Sequence, residues 1–244
     1  RMTKAEFQRA IGQRPLHVKF SGSMTEPRLT SLLRLAQEPS DVLDLIEPYV
    51  GGNLFNQIHV ATAFYYMGDT SDSITPDEGG FAKTQRFMSF LQRTKDLLPI
   101  SDSRQLCNVI WALGRLHEHV ASFSDVLPEL VGATLQKMPS FSARDAANAL
   151  WGIARARKHA PELLTLAEPL SQRFAGRASE ANAQDISNAV WAGGILLRRE
   201  SDGAQQLITA ARPVARRLVG QMTPQGLANT CTGLALLGAP DGTW

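Results

Sequence analysis

One motif recurs along this chain at nearly constant spacing, and it constrains the fold more than any other feature. The motif centres on an asparagine, and successive copies lie 40, 40 and 41 residues apart, at Asn108, Asn148, Asn188 and Asn229. Three residues after the first three of these asparagines stands a tryptophan: Trp111, Trp151 and Trp191. A period of this length is typical of proteins that stack one supersecondary unit repeatedly.

Each copy of the motif predicts a helix that is buried on most sides. Its residues are mainly small or apolar, and helix-start signals precede three copies, at 101–103, 140–142 and 223–224. Amphipathic helical segments separate the copies, at 81–98, 122–138, 161–176 and 203–220. One such helix pair cannot bury its own apolar faces, so the pattern predicts an all-α fold, a right-handed α-solenoid of about 40-residue antiparallel helix-pair repeats.

The predicted domain organisation is an N-terminal extension, 1–24, followed by a solenoid repeat domain, 25–244. The motif helices are expected near 56–67, 104–117, 143–157, 183–198 and 224–238. Two further helices are expected upstream, at 25–37 and 40–50, and a loop is expected at 68–80. In the degenerate first motif, Ala61 takes the place of the asparagine and Phe64 that of the tryptophan. Because the chain opens on Arg1 and closes soon after a motif helix, we expect it to be a piece of a longer protein.

Composition excludes several classes of protein. Hydrophobic residues make up 43% of the chain and charged residues 20%, which excludes a collagen-like, coiled-coil or mostly disordered chain. The 25 basic and 23 acidic residues sum to +2, which neither favours nor excludes a polyanionic partner. Two cysteines cannot form a disulfide framework. No apolar run reaches the ~18 residues that a membrane span needs, so a soluble protein without membrane insertion is expected.

The first set of candidate binding residues lies on one face of the motif helices. Residues spaced by three, four or seven positions share a helix face. The motif asparagines therefore form a stripe with arginines before and after them, and the candidates are Arg104, Asn108, Arg115, Arg144, Asn148, Arg155, Asn188 and Asn229. Asparagine offers both a donor and an acceptor, and successive units could contact successive nucleotides of a single strand.

The motif residues also have structural interpretations. The asparagines could satisfy backbone groups of a neighbouring loop and so set the spacing of the repeats. For the tryptophans we expect core positions, although an indole on a binding face could stack on unpaired bases.

The second set is a basic residue late in each intervening helix: Arg93, Lys137, Arg173 and Arg217. Regular stacking would align these cations as a ladder along one edge, where they could follow a phosphate backbone. Cations are also favoured at helix C-termini by the helix dipole, so a purely structural role stays open.

No constellation in the sequence points to catalysis. The five histidines lack carboxylate or cysteine partners at metal-ligand spacing, and the chain has neither a glycine-rich phosphate loop nor a nucleophile elbow. We therefore expect no enzyme activity, no metal, no cofactor and no small-molecule substrate.

The motifs resemble those of the octotricopeptide repeat family of algal and alveolate organelles, and more distantly the repeat region of FAST-kinase-domain proteins. The resemblance rests on the helices 147–154 and 227–238, which read Ala-Asn-Ala-Leu-Trp-Gly-Ile-Ala and Leu-Ala-Asn-Thr-Cys-Thr-Gly-Leu-Ala-Leu-Leu-Gly. It covers about residues 50–244. It implies a soluble RNA-binding protein of the mitochondrion or chloroplast, which contacts single-stranded RNA or rRNA in RNA metabolism or translation.

A second function stays open alongside RNA binding. The same surface could grip an extended peptide, or dock as a protein-binding scaffold subunit of a large organellar complex without contacting RNA.

Overall fold

The computed structural model describes residues 24–74, 79–120 and 123–239. The predicted N-terminal extension therefore lies almost entirely outside the described residues, as do part of the predicted loop at 68–80 and the last five residues of the predicted repeat domain.

The described residues form eleven α-helices and no β-strand, in agreement with the predicted all-α class. The helices are α1 Glu26–Leu33, α2 Pro39–Ile46, α3 Gln57–Asp69, α4 Gln85–Leu97, α5 Ser103–Leu116, α6 Leu127–Lys137, α7 Ala143–Ala156, α8 Ala167–Ala175, α9 Ala183–Leu196, α10 Asp202–Leu218 and α11 Pro224–Leu237. Helices α3, α5, α7, α9 and α11 carry the motif, and their ends lie within two residues of the predicted bounds. We call these five the motif helices.

Three of the four intervening helices begin later than predicted, and the first of them begins at Gln85 instead of residue 81. The segments at 122–138 and 161–176 become α-helical only at Leu127 and Ala167, and Pro161–Leu166 forms a 3-10 turn instead. Prolines explain the last two differences. Pro128 and Pro169 have no N–H to donate to the carbonyl four residues earlier, so each is best accommodated in the first turn of an α-helix.

Side-chain caps start every motif helix and correct the alignment of the first one. The side chain of each cap accepts a hydrogen bond from the backbone N–H of the residue three positions later. The caps are Asn56, Asp102, Ser142, Asn182 and Thr223. Aligned on these caps, Thr62 and Tyr65 occupy the asparagine and tryptophan positions. The assignment of Ala61 and Phe64 was thus wrong by one residue, because two adjacent aromatic residues made the phase ambiguous. Phe64 is fully buried in the core.

The motif helices pack against one another in chain order, α3 on α5, α5 on α7, α7 on α9 and α9 on α11. The intervening helices pack on the motif helices and on each other, as α8 does on α7 and α10. One continuous apolar core, from Leu29 to Leu237, lies between the elements.

Small residues allow the motif helices to approach closely at one repeated position. In each contact, one helix contributes the residue six positions after its motif asparagine. The next motif helix contributes the residue four positions after its own asparagine. A Cβ added to Gly114 would lie 2.6 Å from the Cα of Gly152, and one added to Gly194 would lie 2.7 Å from the carbonyl oxygen of Gly233. Between α7 and α9 the two positions are Ala154 and Ala192, both fully buried. The motif helices therefore meet almost backbone to backbone.

One histidine at the end of α5 makes stability depend on pH. His117 Nδ1 lies 2.9 Å from the Gly114 carbonyl oxygen, and its ring centroid lies 5.4 Å from that of His159. Burial lowers the pKa of His117 most; the hydrogen bond to Gly114 and the charge of Glu118 oppose this, whereas the charges of Arg155 and His159 add to it.

A histidine whose pKa is lower in the folded than in the unfolded state binds a proton more tightly in the unfolded state, so protonation favours unfolding. Its contribution to stability is therefore complete above the unfolded pKa of about 6.5 and declines as the pH falls through that value. We expect the melting temperature to fall on acidification from pH 8 to 5.5. His117→Gln should reduce this fall, as measured by thermal denaturation at each pH; an identical fall in both proteins would contradict the assignment.

Candidate nucleic-acid interface

A groove of about 780 Å³ crosses all five motif helices. All four motif asparagines line it, as do Trp111, Trp151 and Arg115. The repeat therefore brings one face of successive motif helices to a common surface, as the stripe of polar residues predicts.

The four motif asparagines all line the groove, and two of them contact each other. Asn188 Nδ2 donates a hydrogen bond to Asn148 Oδ1 at 3.3 Å. Within the described part of the chain, the side chains of Asn108 and Asn229 make no hydrogen bond, and none of the four bonds to a backbone group. The structural interpretation, in which these side chains satisfy a neighbouring loop, is therefore not supported by the contacts seen. Donors and acceptors of these asparagines stay available in the groove.

A row of stacked aromatic rings runs beside the asparagines. The ring centroids of Tyr65 and Trp111 lie 5.2 Å apart at an interplanar angle of 22°, and those of Trp111 and Trp151 lie 6.3 Å apart at 27°. The expected core position of the tryptophans is correct only in part: Trp111, Trp151 and Trp191 are all half-buried, and Trp111 and Trp191 pack against the core. Trp111 lies against Gly68 at the contact between α3 and α5, where the missing side chain of the glycine leaves room for the edge of the indole.

The arginines of the first set are held differently from one another. Arg115 donates from Nε to the Gly68 carbonyl oxygen at 3.1 Å and from Nη2 to the Asp72 carboxylate at 2.7 Å. The guanidinium carbon of Arg155 lies 5.8 Å from the centroid of the Trp151 ring, within the range of a cation–π contact.

The other two arginines of this set lie before the asparagines, on the first turns of α5 and α7. Arg144 Nε lies 3.9 Å from a carboxylate oxygen of the nearly buried Asp185, while its own side chain is 68% exposed. Arg104 is exposed. Of the four arginines only Arg115 lines the groove itself.

The second set of cations is not brought to the groove. Arg93 donates to the carbonyl oxygen of Phe55 at 3.0 Å, Arg173 to that of Phe141 at 2.7 Å, and Arg217 to that of Ser179 at 3.3 Å. Each of these carbonyls precedes a motif helix, so the arginines tie its start to the partner helix of the same unit. Lys137, at the corresponding place, is half-buried and makes no such bond within the described residues.

Several groove residues were missed by sequence reasoning. They are Tyr65, Asn182, Ser187, Gln221 and Thr223. Alignment on the helix caps would have found Tyr65, and the spacing of Asn182 and Asp185 is that of a capping box, which would have found Asn182. Gln221 has no sequence signal, because it belongs to the connection between α10 and α11 and only the packing of the units brings it to the groove.

The described residues contain no group of three or more His, Cys, Asp or Glu side chains that could hold a metal ion. Throughout the same ranges, every helix is too short or too polar to cross a membrane.

Comparison with known proteins identified no relative from which a function could be transferred. No protein-family model matches the chain, and the search of curated proteins gave no significant match.

Proposed function

We propose that this chain is an RNA-binding helical-repeat protein that holds single-stranded RNA in the groove across its motif helices. The observation that carries the proposal is the alignment of Asn108, Asn148, Asn188 and Asn229 with the aromatic row in a single groove.

The proposal includes a right-handed α-solenoid, in which the motif helices form one layer and the intervening helices the other. Two observations support it. The motif helices contact one another in chain order, and the same pair of small-residue positions makes each contact, as at Gly114 and Gly152. Identical contacts between successive units generate a regular stack.

The chemistry of the groove suits an unpaired strand better than a duplex. Carboxamides can hydrogen-bond to the exposed edges of bases, which in a single strand are free of Watson–Crick partners. Aromatic rings beside an arginine, such as Trp151 with Arg155, contribute stacking and cation–π contacts that do not depend on sequence. Arg104 and Arg155 supply positive charge for phosphates at the borders of the groove. Arg115 and Arg144 each lie beside a carboxylate, Asp72 and Asp185, and supply less.

The resemblance to octotricopeptide repeat proteins extends the proposal to a cellular setting. Members of that family act mostly in organelles, so we propose that the protein acts on organellar RNA, in RNA metabolism or translation. The scaffold function becomes an outcome of the test below.

Removing two groove asparagines should weaken RNA binding without weakening the fold. In the double variant Asn108→Ala/Asn229→Ala, no hydrogen bond within the described residues is lost, so we expect unfolding free energy to change by about 0.5 kcal/mol or less. Each amide that bonds a base contributes about 1 kcal/mol, so we expect affinity for a single-stranded RNA to fall roughly tenfold or more. Fluorescence anisotropy with labelled RNA measures the affinity, and thermal denaturation the stability.

The matched control is Asn53→Ala, because Asn53 is exposed and lies outside the groove; it should change neither quantity. A wild-type protein that binds no single-stranded RNA, yet co-purifies with protein partners after nuclease treatment, would overturn the proposal in favour of a scaffold.

A further inference from the structure

The two ends of the groove differ in chemistry. One end, formed by α3, α5 and α7, carries the aromatic row together with Arg115 and the motif asparagines Asn108 and Asn148, and Arg155 lies over its last ring. The other end, formed by α9, α11 and the connection before α11, is rich in carboxamides: Asn182, Gln184, Asn188, Gln221, Gln225 and Asn229. We call these the aromatic end and the amide end.

We propose that the two ends of the groove have different roles in RNA recognition. The aromatic end holds the strand through stacking and phosphate contacts, whereas the amide end selects nucleotides through hydrogen bonds to base edges and to the ribose 2′-hydroxyl. This inference rests on the proposed function, since it names how the same groove distinguishes one strand from another.

The amide end has unused hydrogen-bonding capacity. Four of its side chains, Gln184, Gln221, Gln225 and Asn229, make no hydrogen bond within the described ranges. Asn182 uses its Oδ1 to cap α9, at 2.9 Å from the Asp185 N–H, and Asn188 uses one donor on Asn148. Each carboxamide carries an acceptor and two donors. The end therefore presents several donors and acceptors to a ligand.

The amide end offers little to a phosphate. Among the described residues that line the whole groove, Arg115 alone is charged; it lies at the aromatic end, where it pairs with the Asp72 carboxylate and where the exposed Arg155 adds a second cation. Arg144, on the first turn of α7, lies 3.9 Å from the carboxylate of Asp185 on α9, which offsets its charge. The N–H groups at the third positions of α9 and α11 already bond to the caps Asn182 and Thr223. Phosphate contacts should therefore concentrate at the aromatic end.

Carboxamides are suited to selection because hydrogen bonds distinguish ligands in a way that charge does not. Phosphates are the same in every nucleotide, so contacts with them strengthen binding without favouring a sequence. Base edges differ in their donors and acceptors, and the 2′-hydroxyl, both donor and acceptor, distinguishes RNA from DNA. A ligand that leaves these amides unpaired forgoes their hydrogen bonds and binds more weakly.

The test uses short homopolymeric RNAs and DNAs of matched base, with deoxyuridine in place of thymidine, measured by fluorescence anisotropy at several salt concentrations. Arg155→Gln removes the cation that lies over the Trp151 ring; its control Lys158→Gln removes an exposed cation three residues away that makes no ring contact within the described residues. Gln184→Ala/Gln225→Ala removes two exposed amides at the amide end. Its control, Gln206→Ala, removes an exposed glutamine on α10.

We expect Arg155→Gln to weaken binding of all strands by a similar factor. It should also reduce the slope of log affinity against log salt concentration by about 0.7, the value for one phosphate contact on a single strand. Gln184→Ala/Gln225→Ala should leave this slope unchanged and narrow the range of affinities across the panel about fivefold or more, including the ratio of RNA to DNA. Both controls should behave as the wild type.

Three outcomes would overturn the proposal that the two ends have different roles. They are a changed salt slope in the glutamine variant, equal weakening of every strand by that variant, and a changed range of affinities in Arg155→Gln. Each of these leaves RNA binding itself intact. A wild-type protein that binds no strand in the panel would overturn the proposed function as well, so the two failures are distinguishable.

Discussion

Replacing Gly152 with alanine is expected to lower the free energy of unfolding by about 1–3 kcal/mol, the usual cost of overpacking a tight interior. The new Cβ would collide with the carbonyl group of Ile110 on the neighbouring helix α5. Because this neighbour is backbone rather than a flexible side chain, α5 and α7 would have to move apart. At roughly 2–4 °C per kcal/mol, thermal denaturation would show a clear fall in melting temperature.

The matched control is another glycine inside a helix. Gly132 lies on α6 with no atom within 4 Å of the Cβ that alanine would add. Alanine there has the better helix propensity and no collision, so Gly132→Ala should raise the free energy of unfolding by up to about 1 kcal/mol. The two substitutions are chemically identical and are expected to have opposite signs. Equal stability of both variants would contradict the close contact between the motif helices.

The same substitution tests how packing shapes the groove. Trp111 and Trp151 stand on α5 and α7, one residue before Ala112 and Gly152 respectively, and their rings stack at 6.3 Å. Forcing these helices apart should separate the rings. We therefore expect Gly152→Ala to change the intrinsic tryptophan fluorescence at temperatures where the variant is still folded, whereas Gly132→Ala should leave the spectrum unchanged.

Truncating Trp151 to alanine is expected to weaken binding of single-stranded RNA by roughly tenfold to a hundredfold, the range for loss of one base–aromatic contact. The variant removes the last ring of the aromatic row and the surface over which Arg155 lies. Fluorescence anisotropy with labelled RNA measures the loss. Trp151→Phe, which retains a ring, should lie between the wild type and Trp151→Ala.

Thermal denaturation of the same variant separates binding from packing. A fully buried tryptophan costs about 3–5 kcal/mol when truncated, whereas the half-buried Trp151 should cost less. Met88→Ala is the control for loss of a large, partly exposed apolar side chain, because Met88 is 45% exposed and lies outside the groove. Unchanged RNA affinity together with a loss of 3–5 kcal/mol would show that Trp151 acts only in packing.

Much of the secondary structure was predictable from local signals. The period of the motif asparagines indicated repeated helices, and the caps Asp102, Ser142 and Thr223 marked three of their starts. These signals are local because capping depends on residues within one turn of the helix end. Where local chemistry was read incompletely, as at Pro169, the predicted helix began too early.

The candidate site was predictable only in part. Regular spacing brought Asn108, Asn148 and Asn188 together as expected, since residues at one phase of identical units share a face. The phase could not show which face is buried, because the motif helix is apolar on nearly every side. The tryptophans were therefore expected in the core, whereas Trp111 and Trp151 line the groove.

The role of the predicted ladder of cations was also not predictable from the sequence. Arg93, Arg173 and Arg217 recur at a regular place in the sequence, which suits both a phosphate track and a structural bond. Their partners are backbone carbonyls about forty positions earlier, such as that of Phe55 for Arg93. No pattern of side chains marks a backbone carbonyl as an acceptor, so only the packing of the two helices reveals these contacts.

The sequence by itself determined that this protein is built from repeated helices, where most of those helices begin and end, and that its motif asparagines share a phase. These properties follow from hydrogen bonds and steric limits within a few residues of each position. The tertiary structure decided which face became core and which became groove, because that choice depends on contacts between units. At Gly114 and Gly152, 38 residues apart in the sequence, the backbones of two helices meet, and the packing of the units leaves the indole rings of Trp111 and Trp151 in the same groove as the carboxamides.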